Sequence, residues 1–310
     1  MALSPHGQGP APDASRLDIG VVSAGRVGSI LGSALARAGH HIVATAAVSA
    51  ESKRRAGRLL PDAEILPVDE VARRAGLLLI AVPDDAIGDL VAGLASGGHL
   101  QPGQFVVHTS GAHGIDVLRP VAELGGLPMA LHPVMTFTGR PEDLDRLAGV
   151  SFGVTAPQVL RPVAEALVVE MGGEPEFIPE ESRALYHAAL SHGANHMVTL
   201  INESMTLLRS SGVAHPDRML APLLSAGLDN TLRLGDNALT GPIARGDSGT
   251  VARHLDVLAR VAPDSVDAYR VLARRTADRA IEARQLSVEA AEPLLEVLAG
   301  PRDDERGESR

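Results

Sequence analysis

Small residues follow the first predicted strand at positions where they could contact a phosphate-containing ligand. The apolar stretch "DIGVV" ends at residue 22, and Ser23, Gly25 and Gly28 follow as a helical pattern begins. In a dinucleotide-binding fingerprint, the first glycine allows a tight turn and the second lets the backbone approach the pyrophosphate. The third lets the helix pack closely on the strand. Ser23 holds the first position, which we expect to tolerate a small side chain better than the other two.

The surroundings of this turn favour binding over the alternative, a glycine-rich turn that only starts a helix. A strand pattern precedes the turn, a helical pattern follows it, and a second strand pattern, "HIVATAAV", begins at residue 41. A dinucleotide-binding unit is built in this order. We therefore predict cofactor contacts from Ser23, Gly25, Arg26, Val27 and Gly28.

The residues after the second strand pattern indicate which dinucleotide is bound. Enzymes that use NAD place an acidic residue there to hold the ribose 2′-hydroxyl. This chain has Ser49, Ser52 and Lys53, followed by two arginines, and hydroxyls and cations suit a 2′-phosphate. A solvated first helical turn would carry the same charges, and Glu51 is close enough to keep NAD open. We predict NADP as the cofactor, contacted by Ser49, Ser52 and Lys53.

Two further strand patterns end at the edge where parallel sheets bind their ligands. These are "LLLIAVPDDAI", residues 77–87, and "VVHTSGAHG", residues 106–114. From them we predict Val82, Pro83 and Ser110 as additional cofactor contacts.

Histidines cluster near the same predicted edge. His108 and His132 each end a strand pattern, and His192 lies in a later helical pattern. Their spacing matches neither HxxxH nor HExxH, so we predict no metal site. His132, which precedes a proline, is interpreted as a substrate contact or as a hydrogen-bonded residue at a strand end.

The segment "TGPIARGD", residues 240–247, is predicted to form a loop between two helices. Asp247 is suited to cap the helix that follows it. Arg245 lies between two glycine-containing turns, and its planar guanidinium can bind a carboxylate through two parallel hydrogen bonds. We predict that Arg245 and Gly241 contact a substrate that carries a carboxylate.

These candidates would be positioned by two kinds of structure along the chain. Strand and helix patterns alternate up to about residue 179, which is typical of a parallel sheet covered by helices on both faces. After residue 180 only helical patterns remain. We predict an α/β fold class, with a Rossmann-type sheet domain over residues 17–179 and an all-α domain for substrate binding and dimerisation over residues 180–300. A disordered leader over residues 1–16 and a disordered tail over residues 301–310 complete the prediction.

Composition narrows the partners and the compartment. The net charge of −10 argues against nucleic acid and acidic membrane surfaces as partners. The absence of cysteine excludes disulfides and thiolate nucleophiles, and together with the lack of a signal-peptide pattern it predicts a cytoplasmic protein. The helical stretch "AALSHGANHMVTLI" is apolar on almost all sides, which predicts burial against the other domain or a second subunit. We expect a homodimer.

Several stretches together resemble a known family. They are "GVVSAGRVGSILG", "IAVPDDAI", "HTSG", "LHPVMTF", "YHAALSHGANH" and "ALTGPIARGD", between about residues 18 and 275. The chain resembles the 6-phosphogluconate dehydrogenase superfamily, and within it the bacterial Rossmann-like proteins that end in domain of unknown function 2520. It is also similar to ketopantoate reductases and pyrroline-5-carboxylate reductases. Ser23 and the "SHG" in the helical stretch depart mildly from the family pattern. The resemblance implies an NADP-binding oxidoreductase.

The resemblance also implies a set of catalytic residues. Relatives that act on β-hydroxyacids or reduce ketopantoate carry a lysine at the start of the first helix of the helical domain, with an asparagine four residues later. In the ketopantoate reductases another asparagine follows after eight residues. The same spacing here gives His187, Ser191 and Asn195, which would lie along one side of a helix. Because Lys53 is the only lysine and lies elsewhere, His187 would donate the proton.

These observations lead to one predicted function and two alternatives. The prediction is an NADP-dependent reductase of a small 2-oxo acid, with ketopantoate as a candidate. The first alternative is an imine reductase of the pyrroline-5-carboxylate reductase type. The second is a dinucleotide-binding sensor or scaffold without turnover, which would need neither His187 nor Asn195. A structural histidine that hydrogen-bonds the backbone at a domain junction is the other interpretation of His187.

Overall fold

The computed structural model describes residues 16–299 of the 310-residue chain. The predicted disordered tail, and all but the last residue of the predicted disordered leader, lie outside the described residues. The chain divides into two compact units, the first ending at Gly193 and the second beginning at Ala194. None of the described helices is long and apolar enough to span a membrane.

The first unit is built on an eight-stranded sheet. Its strands are β1 (Asp18–Val22), β2 (His41–Ala46), β3 (Glu64–Ile65), β4 (Leu77–Ile80), β5 (Phe105–His108), β6 (Leu127–Pro133), β7 (Ser151–Thr155) and β8 (Glu174–Phe177). Their order across the sheet is β3-β2-β1-β4-β5-β6-β7-β8. The strand patterns quoted above correspond to β1, β2, β4 and β5, and none of them covers β3, which has two exposed residues at the edge of the sheet.

One strand pair departs from the predicted parallel arrangement. Six of the seven neighbouring pairs are parallel, but β6 and β7 run antiparallel, with Ala130 opposite Thr155 and Pro133 opposite Phe152. A parallel connection normally needs a crossover helix that returns the chain to the starting edge of the sheet. The segment between β6 and β7 contains only a four-residue helix, Glu142–Asp145, so the chain reverses instead.

Helices surround this sheet. They are α1 (Arg26–Arg37), α2 (Ala50–Leu59), α3 (Val68–Arg74), α4 (Asp84–Ser96), α5 (Arg119–Glu123), α6 (Glu142–Asp145) and α7 (Arg161–Glu170). Successive residues of a strand point to opposite faces of a sheet. In β4, Leu77 and Leu79 accordingly belong to one core cluster, whereas Leu78 and Ile80 belong to another. The predicted sheet with both faces covered is confirmed.

The second unit is helical, as predicted. Helix α8 (Arg183–Ser210) begins in the first unit and ends in the second, and it is followed by α9 (Pro216–Leu234), α10 (Gly241–Ala244), α11 (Ser248–Val261), α12 (Val266–Glu282) and α13 (Val288–Ala299). The buried side chains at the centre of this unit are Val251, Leu255, Ala273, Ala277, Leu294 and Leu298. Asp247 caps α11 by accepting the Thr250 N–H at 3.0 Å.

The change from strands to helices and the division into compact units fall at different residues. The last strand ends at Phe177, close to the predicted boundary at residue 180, whereas the first compact unit extends to Gly193. The first turn of α8 is bonded to the sheet, since Arg183 donates hydrogen bonds to the carbonyls of Ala130 and Gly153. Because of these hydrogen bonds, the start of α8 belongs to the first unit.

Candidate functional site

The turn between β1 and α1 places its three small residues in different conformations. Ser23 has φ +79°, in the left-handed region that favours glycine, whereas Gly25 has φ −70° as the N-cap of α1. We expected the Ser23 position to tolerate a side chain best, and the backbone corrects this expectation. A non-glycine residue in the left-handed region costs on the order of 1 kcal/mol. The turn therefore retains its tight shape with a strained serine.

Gly25 and Gly28 have different surroundings. A Cβ atom on Gly28 would lie 2.3 Å from the Ser23 carbonyl oxygen and 2.9 Å from the Ala81 Cβ, so close packing excludes a side chain there. A Cβ atom on Gly25 would meet only the Ser23 Oγ, at 3.2 Å. The space above Gly25 is therefore open, and the first N–H groups of a helix lack partners within the helix. This arrangement fits the pyrophosphate of a dinucleotide.

A cleft of about 500 Å³ lies over this turn and the end of β2. Six of the predicted cofactor contacts line it: Ser23, Gly25, Arg26, Ser49, Ser52 and Val82. The other five do not. Val27 packs on the core, and Gly28 packs against the turn. Lys53 is exposed, and Pro83 is the N-cap of α4. The buried Ser110 hydroxyl accepts the N–H groups of Ala112 and His113. The turn and the start of α2 thus form the candidate cofactor site.

The serines at the start of α2 already make local hydrogen bonds. Ser49 is the N-cap of α2 and accepts the Ser52 N–H at 3.0 Å, while the Ser52 hydroxyl donates to the Ser49 carbonyl at 2.9 Å. Each oxygen retains acceptor or donor capacity, since a hydroxyl has one donor and two lone pairs. The two side chains are thus fixed at the edge of the cleft.

Arg55 lines this cleft, and the sequence did not identify it as a site residue. One guanidinium nitrogen donates to the Ala24 carbonyl at 3.2 Å, and the other terminal nitrogen pairs with Glu51. Its side chain is only 9% exposed. A helical position three residues after Ser52 and four after Glu51 lies on the same side of α2 as both, and this spacing was the available signal.

A second group of polar side chains lies at the ends of β5, β6 and β7. Arg183, at the start of α8, is 2% exposed. Its guanidinium donates to the Thr155 hydroxyl at 2.7 Å and to the carbonyls of Gly153 at 2.9 Å and Ala130 at 3.2 Å. Within the described residues its hydrogen-bond acceptors include no carboxylate. Burial lowers the pKa of Arg183, and the nearby charge of Glu180 opposes this effect, so Arg183 holds a buried positive charge near the ends of β5, β6 and β7.

The two strand-end histidines respond to burial and to this charge. Burial lowers the pKa of His132 to about 4, with the charges of Arg183 and His187 acting in the same direction and Asp84 opposing them. Burial likewise lowers the pKa of His108 to about 4, and the charge of Arg183 adds to this effect. The hydrogen bond of His108 with the Gly114 carbonyl acts in the opposite direction. Both imidazoles are consequently neutral at neutral pH.

His132, Tyr186 and His187 form a compact group, which we call the imidazole cluster. The Tyr186 hydroxyl is 2.8 Å from the His132 Nδ1, and the two rings are perpendicular. The rings of His132 and His187 are also nearly perpendicular, with their centroids 6.1 Å apart. A Cβ atom on Gly111 would lie 2.8 Å from the His187 ring and 2.9 Å from the His132 ring, so the loop after β5 covers both.

Tyr186 remains protonated in this cluster. Burial raises the pKa of its hydroxyl, although the Arg183 charge and a hydrogen bond with Gly153 act against the increase. The predicted residues His132 and His187 are thus brought together, and Tyr186 and Arg183 join them without having been predicted. Ser191 lies one turn further along α8, also in the first unit, and Asn195 belongs to the second unit, where it is exposed.

The predicted substrate contacts lie in the second unit. Arg245 is exposed and ends the short helix α10. The glycines on either side of it, Gly241 and Gly246, have φ +90° and +72°. These conformations, which favour glycine, set the path of the loop that carries Arg245. Within residues 16–299, no group of three or more histidine, aspartate or glutamate side chains could hold a metal ion.

Comparison of the sequence with family models identifies two regions. Residues 5–133 match the Rossmann-like domain, and residues 150–276 match a domain of unknown function, DUF2520. No curated protein matches the chain. The chain thus contains a Rossmann-like domain followed by a DUF2520 region.

Solved structures share this fold. A Bacteroides fragilis protein described as an NADP oxidoreductase is 22% identical, with a TM-score of 0.72 over 85% of this chain and 98% of its own. An imine reductase from a Pseudomonas species is 20% identical, with a TM-score of 0.62 over 87% and 99%. The pyrroline carboxylate reductase of Plasmodium falciparum, solved with NADP bound, is 13% identical, with a TM-score of 0.54 over 90% and 98%. At these identities the likeness concerns the fold.

Proposed function

We propose that this protein is an NADP-dependent oxidoreductase that reduces a small 2-oxo acid. The observation that carries the proposal is the contrast within the β1–α1 turn, where packing fills the space at Gly28 but leaves the space at Gly25 open. That open space suits a pyrophosphate on the N-terminus of α1. The descriptions of the similar structures as an NADP oxidoreductase, an imine reductase and a pyrroline carboxylate reductase support the same reaction class.

Different residues of the cleft would contact different parts of the cofactor. The N–H groups at Gly25 and Arg26 would hold the pyrophosphate, and Ser49 and Ser52 would face the phosphate-bearing ribose. When bound, the reduced cofactor supplies a hydride to the substrate. We retain NADP as the preferred cofactor and NAD as the alternative.

His187 is the proposed proton donor. Reduction of a carbonyl group leaves negative charge on its oxygen, and a nearby imidazolium can stabilise and protonate that oxygen. His132 is suited to a different role, because its pKa of about 4 keeps it neutral. It would donate or accept a hydrogen bond while Tyr186 fixes the orientation of its ring. Ser191 and Asn195, on the same helix, would orient the substrate.

Arg245 and Gly241 are the proposed contacts for the substrate carboxylate, with ketopantoate as one candidate substrate. Substitution Arg245→Lys keeps the charge but loses the planar pair of donors. We expect KM for a carboxylate substrate to rise about tenfold while the Kd for NADPH stays constant. Steady-state kinetics and cofactor titration would measure both quantities. A weaker NADPH complex would instead assign Arg245 to the cofactor site or to the stability of the fold.

Imine reduction is the second candidate, favoured by the fold shared with the Pseudomonas imine reductase and the Plasmodium pyrroline carboxylate reductase. Its product is an amine, so the substrate itself separates the two candidates. A panel of 2-oxo acids and cyclic imines, followed by NADPH oxidation, would distinguish them. Tight NADPH binding without turnover of any panel member would favour the remaining alternative, a non-catalytic sensor or scaffold.

A matched pair of glycine variants tests the cofactor site independently of the substrate. In Gly25→Ala the new Cβ meets only the Ser23 Oγ, so we expect a folded protein that binds NADPH at least about tenfold more weakly. Gly93→Ala is the control, because nothing lies within 4 Å of its Cβ position in α4. Calorimetric titration with NADPH measures both variants. Unchanged affinity in Gly25→Ala would refute the proposed placement of the pyrophosphate.

We also propose that the protein forms a homodimer. Large apolar side chains on α9 are exposed, including Leu223 at 67% and Leu232 at 78%. Contiguous exposed apolar surface commonly marks a subunit interface. Light scattering coupled to size-exclusion chromatography would give the mass of a dimer. The substitution Leu232→Glu should shift the measured mass towards the mass of one chain.

A further inference from the structure

Tyr186 and His132 form a hydrogen-bonded pair, and the direction of this bond decides what the imidazole cluster can bind. The Tyr186 hydroxyl lies 2.8 Å from the His132 Nδ1, and the two rings are perpendicular. A neutral imidazole carries its single ring hydrogen on either Nδ1 or Nε2, and the other nitrogen is an acceptor. The hydrogen bond that one nitrogen makes therefore determines what the other nitrogen offers to a ligand.

The surroundings of the Tyr186 hydroxyl indicate that it is the donor of this pair. Burial raises the pKa of Tyr186, so the hydroxyl keeps its hydrogen. The Gly153 N–H, on β7, faces the same oxygen: it acts against the increase in pKa, and a Cβ atom on Gly153 would overlap the oxygen. Among the described residues, the His132 Nδ1 is the only acceptor with which the hydroxyl forms a hydrogen bond. The hydroxyl therefore donates to Nδ1.

His132 then carries its own ring hydrogen on Nε2. Burial and the charges of Arg183 and His187 lower its pKa to about 4, so the ring has one hydrogen at neutral pH. Within residues 16–299 the Nε2 has no hydrogen-bond partner, and a glycine faces it. A Cβ atom on Gly111 would lie 2.9 Å from the Nε2 and 2.8 Å from the His187 ring. Because Gly111 has no side chain, an N–H donor is left uncovered beside His187.

We propose that this pair selects the substrate: Tyr186 holds His132 in the Nε2–H tautomer, and the Nε2–H group binds the oxygen of a carbonyl substrate. This selection rests on the proposed function, in which the substrate is reduced. A carbonyl oxygen has two lone pairs and accepts this hydrogen bond. The nitrogen of a protonated imine has no lone pair and is itself a donor, so two N–H groups would face each other. The cluster therefore prefers a 2-oxo acid to a protonated cyclic imine.

The same hydrogen bond favours the reaction. When a hydride adds to the carbonyl carbon, the electron pair of the C=O π bond moves to the oxygen. Negative charge develops on the atom that the His132 Nε2–H contacts, and a proton from His187 completes the hydroxyl group. A neutral imidazole stabilises such an oxygen without giving up its own hydrogen. Tyr186 acts only through His132, so it is a positioning residue.

NMR spectroscopy of the ring nitrogens tests the tautomer without cofactor or substrate. Protonated and unprotonated ring nitrogens have well-separated ¹⁵N shifts, and couplings to the ring hydrogens distinguish Nε2 from Nδ1. The variant His132→Phe identifies the His132 signals by their loss. We expect a protonated Nε2 and an unprotonated Nδ1 at neutral pH. In Tyr186→Phe both shifts should move towards the average of the two tautomers.

The chain offers a matched control for the loss of the tyrosine hydroxyl. In the second unit the Tyr269 hydroxyl lies 2.8 Å from the His254 Nδ1, and these two rings are also nearly perpendicular. The variant Tyr269→Phe therefore removes the same kind of hydrogen bond from an exposed histidine. It should leave the His132 shifts unchanged. Circular dichroism checks that each variant is folded.

Two probes with the same number of carbon atoms measure the substrate preference. In 2-oxopentanoate and 1-pyrroline-2-carboxylate the reacting carbon carries the carboxylate, and it is bonded to oxygen in the first and to nitrogen in the second. We expect the ratio of kcat/KM for the oxo acid to kcat/KM for the imine to fall at least about tenfold in His132→Phe. It should fall about threefold in Tyr186→Phe and stay constant in Tyr269→Phe.

The outcomes separate this selection from the proposed function. An Nδ1–H tautomer in the wild type would overturn the proposal, and so would a ratio that both His132→Phe and Tyr186→Phe leave unchanged. If neither probe is reduced, the reductase function fails, and a titration of 2-oxopentanoate in the presence of NADP⁺ decides the selection. A shift of the His132 Nε2–H resonance would then support it, and an unchanged resonance would overturn it.

Discussion

The β1–α1 turn and the imidazole cluster differ in the kind of groups that they offer to a ligand. At the turn, the open space above Gly25 and the N–H groups of α1 are the features that suit a ligand. At the cluster, Tyr186 packs on His132, and buried Arg183 lies beside them. The first region depends on backbone atoms and empty space, and the second on side chains that constrain one another.

This difference predicts how each region responds to substitution. A backbone site is blocked by adding atoms, with little effect on the rest of the fold. A packed polar cluster is disrupted by removing atoms, because buried donors and acceptors then lose their partners. Cofactor affinity should therefore respond to changes at the turn, whereas stability, protonation and turnover should respond to changes at the cluster.

The largest expected effect is on turnover, from the substitution His187→Ala. Loss of a general acid typically lowers a rate by about a hundred- to ten-thousand-fold. We expect kcat to fall within this range while the Kd for NADPH is unchanged, which would separate the two regions cleanly. Stopped-flow measurement of NADPH oxidation and calorimetry provide the two values. His41→Ala, at an exposed position in β2, is the control.

A small change in kcat would assign His187 a structural role. His132 would then be the next residue to substitute, although a pKa of about 4 makes it a poor proton donor at neutral pH. A loss of NADPH affinity in His187→Ala would contradict the separation of the two regions.

The next effect is on stability, from the substitution Arg183→Met. It removes the guanidinium that donates to the Thr155 hydroxyl and to the carbonyls of Gly153 and Ala130. We expect the free energy of unfolding to fall by about 3–4 kcal/mol, measured by urea denaturation. The pKa of His132 should rise part of the way from about 4, because a nearby positive charge is lost while burial, the largest cause of the lowered pKa, remains, and NMR titration would show this change.

Arg183→Lys separates charge from hydrogen bonding at this position. It keeps the positive charge but loses the planar fork that reaches both β6 and β7. The pKa of His132 should then stay low while stability still falls. If the pKa of His132 does not rise in Arg183→Met, the Arg183 charge does not contribute to its shift.

The sequence predicted much of the fold because the fold follows from local patterns. The apolar runs of β1, β4 and β5 and the helical patterns between them are visible without tertiary information. The direction of β7 is not, because hydropathy does not distinguish a parallel from an antiparallel neighbour. The exposed edge strand β3, Glu64–Ile65, has no apolar run to reveal it.

The candidate site was predicted unevenly for a similar reason. The spacing of Gly25 and Gly28 is a local signal, so the turn was recognised. The role of Arg183 depends on acceptors in Gly153 and Ala130, which are distant in sequence. An arginine at the start of a helix is ordinarily solvated, and its burial becomes visible only when the strands are assembled. Lys53 was predicted as a cofactor contact from its position after β2. The helical periodicity of α2 places Arg55, and not Lys53, in the lining of the cleft.

A third prediction concerns pH and the buried imidazole of His108. Its pKa is about 4 in the folded protein and 6.5 in the unfolded chain. Between these values the unfolded chain binds a proton and the folded protein does not, so stability is complete above pH 6.5 and falls as the pH approaches 4. We expect His108 to account for a loss of about 2 kcal/mol between pH 7.5 and pH 5, measured by urea denaturation.

The variant His108→Asn isolates this contribution. In the folded protein the His108 Nδ1 accepts the Ser110 N–H and the Nε2 faces the Gly114 carbonyl, so only the neutral ring satisfies both. Asparagine does not titrate, so the variant should lose less stability on acidification than the wild type, although it starts from a lower value at pH 7.5. An equal decrease in both proteins would show that other groups cause the acid sensitivity.

The smallest expected effect, at the turn, is a gain in stability from Ser23→Gly. Ser23 has φ +79°, which glycine adopts without steric cost. Relief of this strain is partly offset by the greater freedom of glycine in the unfolded chain, so we expect a net gain of about 0.5–1 kcal/mol in the free energy of unfolding. Urea denaturation would measure it, with Ser96→Gly near the end of α4 as a control that should lose stability. Since the fingerprint places glycine at this position, NADPH affinity should be unchanged or higher. A loss of affinity would indicate that the Ser23 hydroxyl contacts the cofactor, and the turn would then depend on a side chain as the imidazole cluster does.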